Sequence, residues 1–132
     1  MDNIRGGKAF TLVEIMIVVA IIALLAGIAI PNLLRAKMTS NDSVAKATLR
    51  AMSTAGEAYA AANSGNYPLD ITSLTGASAP FLNTAYCGNT LSGYDYTCAF
   101  GITGYTFTAT PMSVGITGTT TYTVTTGGIL AP

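Results

Sequence analysis

The chain has 132 residues, 50% of them hydrophobic, with six basic and six acidic side chains, two cysteines and no histidine. That bounds it to one small domain plus a long apolar segment, and it leaves no His-based triad, imidazole metal ligand or ordinary neutral-pH proton shuttle. Every Lys and Arg lies at or before Arg50 while the aromatic-rich region follows it, so nucleic-acid binding has little support.

Arg5 and Lys8 precede Phe10-Thr11-Leu12-Val13-Glu14, which runs into sixteen uninterrupted apolar residues, Ile15 to Ile30. About 20 mostly apolar residues suffice to cross a bilayer. Orientation is not fixed by charge, because Arg5 and Lys8 flank one side and Arg35 and Lys37 the other. Glu14 sits at the mouth of this helix. A carboxylate in hydrocarbon is costly and normally faces a partner rather than lipid. No Lys or Arg lies between Lys8 and Arg35, but a cut before Phe10 would free an α-amino group four residues from Glu14. Two blander readings stay open. One is a secretory signal peptide cleaved near Gly27-Ile28-Ala29, against which Glu14 inside the apolar core and the helical pattern beyond it both weigh. The other is a plain single-span anchor.

Phe10, Thr11, Leu12, Glu14 and Pro31, behind a short basic leader of residues 1–9, resemble the amino-terminal signature of the type IV pilin superfamily, which includes the pseudopilins of type II secretion. The resemblance implies a pilin fold, an α+β arrangement in which a long amino-terminal helix packs on a small antiparallel sheet. It implies that a prepilin peptidase removes the leader between Ala9 and Phe10 and that Phe10 is then N-methylated. It also implies that Glu14 pairs with the amino terminus of a neighbouring subunit as the helix leaves the inner membrane and joins a homo-oligomeric filament. The residue before the cut is Ala9, where the family prefers glycine. Cutting after Gly7 instead would lengthen the spacing to Glu14 by two. The division that follows is leader 1–9, membrane and filament-core helix 10–34, amphipathic stem 35–63 and globular head 64–132.

Helical patterning extends to about Asn63, with Pro31 its one serious interruption. A proline removes a backbone hydrogen bond and crowds the preceding turn, so a bend or local melting is expected near Gly27 to Pro31. Beyond Asp42, Ala45, Leu49, Met52, Ala55, Tyr59 and Ala62 recur at helical spacing and define the face that receives the head. Between Arg35 and Arg50 the charges are Arg35, Lys37, Lys46 and Arg50 against Asp42 alone, and beyond Arg50 only Glu57, Asp70 and Asp95 appear. These are either complementary fields between subunits or ordinary solvated charges. Asn63-Ser64-Gly65-Asn66 ends the helix, with Gly65 suited to a left-handed cap.

Tyr67-Pro68, followed by a short helix capped by Asp70, also matches what pilin-like chains place here. Cys87 and Cys98 form an even pair in an exported domain and read as a disulfide. Alternation predicts strands near Tyr94–Phe100, Tyr105–Thr110 and Thr119–Thr126. Tyr94, Tyr96, Cys98 and Phe100 share one face, as do Tyr105, Phe107 and Ala109, with threonines opposite. The acids are scattered, so no carboxylate pair is assigned to acid–base work. No glycine-rich phosphate loop occurs. Nothing acidic follows Asp95, so the calcium loop frequent in major pseudopilins is not expected.

The reading is a non-enzyme with no metal or cofactor: the subunit of a type IV pilus-like filament, an inner-membrane precursor that becomes extracellular on assembly. A major pseudopilin in a periplasmic pseudopilus is the nearest alternative. A membrane-anchored monomeric binding module using the threonine-rich sheet is a further one.

Overall fold

The structure is a computed structural model, and it describes residues 10–132. The chain divides into two compact units, Met1–Arg35 and Ala36–Pro132. Helix α1 (Leu12–Ala62) contributes to both.

In the first unit the helix exposes its apolar side chains all round, from Leu12 and Val13 through Leu25 and Ile28 to Leu33. It is long and apolar enough to cross a membrane. The helix continues through Pro31 without interruption, so the expected local melting does not occur. Pro31 removes one hydrogen bond, to the carbonyl of Gly27. That single loss is small against the cooperative ladder of a 51-residue helix.

In the second unit the remainder of α1 lies under a five-stranded antiparallel meander, with spatial order β1 to β5 as in sequence. The strands are β1 (Thr90–Leu91), β2 (Tyr94–Gly101), β3 (Gly104–Pro111), β4 (Tyr122–Thr125) and β5 (Ile129–Ala131). The inward residues are those that alternation selects: Tyr94 and Tyr96 on β2, Tyr105, Phe107 and Ala109 on β3, and Tyr122 and Val124 on β4. They close on Ala45, Leu49, Met52 and Ala55 of α1. Each large side chain so buried contributes about 1.5–3 kcal/mol.

The helix face differs from expectation at its far end. Ala62 is exposed and Tyr59 only half-buried, and the buried stripe instead adds Thr48, Ser53, Gly56 and Ala60. Small residues win there because the sheet approaches closely: a Cβ on Gly56 would lie 2.9 Å from the Tyr105 ring. The helix ends as a Schellman-type turn, in which Gly65 N–H donates to the Ala60 carbonyl at 2.8 Å. Ser64, with φ +58°, takes the left-handed position ahead of Gly65, itself at φ +88°.

Helix α2 (Ile71–Thr75) follows, its first turn capped by Asp70 accepting from Ser73 N–H at 2.7 Å and its Leu74 fully buried. Cys87 and Cys98 are joined by a disulfide with Cα atoms 5.6 Å apart, fixing the segment that enters β1 against β2. Two strands go beyond the sequence reading, the edges β1 and β5, while the expected Thr119–Thr126 strand contracts to Tyr122–Thr125. Thr119 and Thr120 are drawn into other bonds.

Candidate functional site

Glu14 is the third residue of α1, and Thr11 precedes the helix in the N-cap position. Thr11 N–H donates to Glu14 Oε2 at 2.8 Å, Thr11 Oγ1–H donates to the same oxygen at 2.9 Å, and Glu14 N–H donates to Thr11 Oγ1 at 3.2 Å. This reciprocal arrangement is a capping box, written in the sequence as Thr-x-x-Glu. The acid therefore has a local role before any second chain is considered: it satisfies an amide that starts the helix. All the bonds it accepts from Thr11 fall on Oε2, and Oε1 has no partner among the described residues. Phe10 beside it is 80% exposed. Ala9, on the other side of the expected cut, lies outside the described residues. Pro31 falls farther along the same helix and is not brought to this site.

The second unit contains two more carboxylates with definite partners, both overlooked by a reading that saw only scattered acids. Asp42 on α1 accepts from the Tyr94 hydroxyl at 2.6 Å and from Thr119 through N–H at 3.2 Å and Oγ1–H at 2.6 Å. Asn41 beside it donates to the Thr117 carbonyl at 2.7 Å. Together they fasten the β3–β4 connection to the helix. Four turns on, Glu57 accepts from Tyr105 at 2.8 Å, Tyr67 at 3.0 Å and the backbone N–H of Gly127 at 2.7 Å. Ser53 Oγ lies 2.8 Å from the same Tyr105 hydroxyl. Glu57 thus holds the β4–β5 turn.

Burial pushes both carboxyls up, but the donated hydrogen bonds outweigh it and hold both below the usual carboxylate range, with Lys46 assisting at Asp42. The tyrosines respond in the opposite sense. Burial and the adjacent Glu57 charge push Tyr105 up to about 12, and burial with Asp42 raises Tyr94 as well. Such groups are structural acceptors and donors, held far from the protonation states that proton transfer near neutrality needs. Among the described residues no group of three or more His, Cys, Asp or Glu could hold a metal.

A family described as the prokaryotic N-terminal methylation motif matches residues 4–30, the stretch that contains the Thr11–Glu14 box and most of the apolar helix. The chain is 56% identical over 45 residues to the type IV wide pilus major component PilA4 of Thermus thermophilus, which covers 34% of each chain. It is 50% identical over 52 residues to the type IV major pilin protein PilA of Myxococcus xanthus, covering 39% of this chain and 24% of that one. The matches thus span about a third and a quarter of these relatives. No solved structure matches. The chain is thus similar to type IV pilins over about a third of its length, and its long amino-terminal helix packed on an antiparallel sheet is a pilin-like fold.

Proposed function

We propose that the chain is a structural subunit of a type IV pilus-like filament, held in the inner membrane as a precursor and extracellular once assembled. It performs no catalysis. The observation that carries this is the apolar helix with exposed side chains on every face, opened by a single acid whose Oε1 is left over from the capping box. Such a helix is buried by lipid or by copies of itself. Removal of residues 1–9 by prepilin peptidase gives Phe10 a charged amine, which N-methylation leaves a cation. The Oε1 of Glu14 on a neighbouring chain then accepts from it. Unpaired, both charges resist leaving water; paired, they set the register at which helices pack, because a slipped register leaves each without its partner. Packing of this kind that repeats without closing gives a filament.

Mass spectrometry of the mature protein tests the processing step. The expected chain begins at Phe10 with one added methyl group, and a chain retaining Met1 through Ala9 overturns it. For assembly, Glu14→Ala keeps membrane insertion and lowers the yield of sheared surface fibres at least about tenfold, a ratio that corresponds to about 1.4 kcal/mol. Normal fibre numbers from that variant would remove the pairing role. Fibres on the cell surface support the pilus, whereas an exoprotein retained in the periplasm of a deletion strain would point to a pseudopilus.

A further inference from the structure

The large apolar side chains left exposed on the second unit include three within five residues: Met112 is 61% exposed, Val114 74% and Ile116 58%. They lie on the β3–β4 connection, which carries no charged residue. Its backbone is bonded internally. Ser113 N–H donates to Thr117 Oγ1 at 3.0 Å, and the Ser113 carbonyl accepts from Ile116 N–H at 3.0 Å and from Thr117 N–H at 2.9 Å. Gly115, at φ +81°, donates its N–H to the Gly118 carbonyl at 2.8 Å, and Met112 N–H donates to the Gly93 carbonyl at 3.0 Å. With those groups already paired, taking the tip out of water costs its amides little, while its apolar side chains gain.

The tip has a fixed place on its unit. Asn41 Nδ2–H donates to the Thr117 carbonyl and Asp42 accepts from Thr119, so the connection is tied to the first turns of α1 within the unit, which begins at Ala36. Lys37 is exposed and stands four residues before Asn41, on the same helix face and one turn nearer that entry. At the opposite end is the β2–β3 turn, where the Ile102 carbonyl accepts from Tyr67 N–H beyond the end of α1. From Ile30, where the apolar run ends, to Lys37 is seven residues, at most about 25 Å even if fully extended. The entry end of the unit therefore cannot leave the neighbourhood of a bilayer that holds the run. We infer that the β3–β4 tip is a second membrane contact: in the precursor, Met112, Val114 and Ile116 enter the interfacial layer of the bilayer and Lys37 meets lipid phosphates. Apolar side chains beside a cation are the means by which peripheral surfaces hold to anionic lipid. The inference rests on the membrane-held precursor proposed above. Because the span already tethers the chain, a contact too weak to bind a free protein is populated. It gives the waiting head one orientation, and it must be released when the subunit leaves the lipid.

The test places the full chain at low density in vesicles of phosphatidylethanolamine and phosphatidylglycerol that contain a nitroxide-labelled lipid as quencher. An environment-sensitive fluorophore is attached through Ser113→Cys or, as the far-end control, through Thr103→Cys; both positions are exposed. The label at Ser113 is expected to be quenched at least about threefold more than the label at Thr103. Met112→Ser, Val114→Ser and Ile116→Ser together bring the two labels level while leaving the near-UV circular dichroism unchanged, and Lys37→Glu lowers quenching at Ser113 about twofold. Equal quenching at the two positions, or quenching that survives the triple substitution, overturns the inference, and indifference to Lys37→Glu overturns its phosphate contact. A blue shift at Ser113 that arises only as copies per vesicle increase, without quenching, would assign the tip to a second chain and overturn the lipid contact. Flotation reads the span separately. Chains that do not float with the vesicles overturn the membrane-held reading and this inference together, whereas chains that float with Ser113 quenched no more than Thr103 overturn this inference alone.

Discussion

Leu24 and Leu49 stand on the same helix, yet the first is 67% exposed and the second fully buried. Up to Leu33 the helix is apolar on every face, so no face is singled out and none is covered within the chain. From Ala45 to Ala60 the buried positions form one stripe, and a sheet supplied by the same chain covers it. The contrast shows how a sequence divides its hydrophobic energy between folding and association. A stripe can be satisfied by one partner surface, whereas a helix greasy all round needs a solvent of apolar groups, either lipid or copies of itself.

Paired substitutions break this comparison most directly. Leu49→Ala should cost the second unit about 2–5 kcal/mol through lost contacts and a residual cavity. Leu24→Ala should change it by less than about 0.5 kcal/mol. Thermal unfolding of the detergent-solubilised protein, followed by near-UV circular dichroism, distinguishes the two, and equal shifts would dissolve the division. Next in size, replacing Cys87 and Cys98 by serine should lower head stability by about 3 kcal/mol, as expected for a loop of this length on the chain-entropy relation. Protease resistance without reductant that matches the wild type would show the bridge to be dispensable.

A smaller effect comes from acid. Asp42 and Glu57 are held below the ordinary carboxylate values of 3.8 and 4.5, so their stabilisation is complete above that range. It is lost as pH falls through it toward the depressed folded values. Glu57→Gln should cost about 1.5–3 kcal/mol at pH 7, the usual scale for hydrogen bonds to a charged group, and should flatten the acid limb. Chemical denaturation from pH 7 to pH 3 measures both, and an unchanged slope would show that Glu57 does not carry the pH dependence.

The interior of the sheet was legible because Tyr94-Asp95-Tyr96 and Tyr105-Thr106-Phe107 alternate cleanly, and side-chain period fixes which face turns inward. The edge strands were not. Thr90–Leu91 and Ile129–Ala131 are too short to show a period, and they exist because β2 and β4 offer ladders beside them. Thr119 to Thr121 has strand composition, yet Asp42 draws Thr119 into the connection instead. The Asp42 and Glu57 partners escaped for a related reason: Tyr94 lies 52 residues from Asp42, and Tyr105 lies 48 from Glu57. No local pattern announces such a pair. At the amino terminus the miss was avoidable, since Thr-x-x-Glu before an apolar run is itself a helix-start signal.

The same two acids decide how a pull along the helix would reach the sheet. Asp42 and Glu57 grip connecting segments, at Thr119 and Gly127, as well as the tyrosines of β2 and β3. Tension would thus reach the sheet through these side-chain bonds at two levels of the rod as well as through the packed core between them.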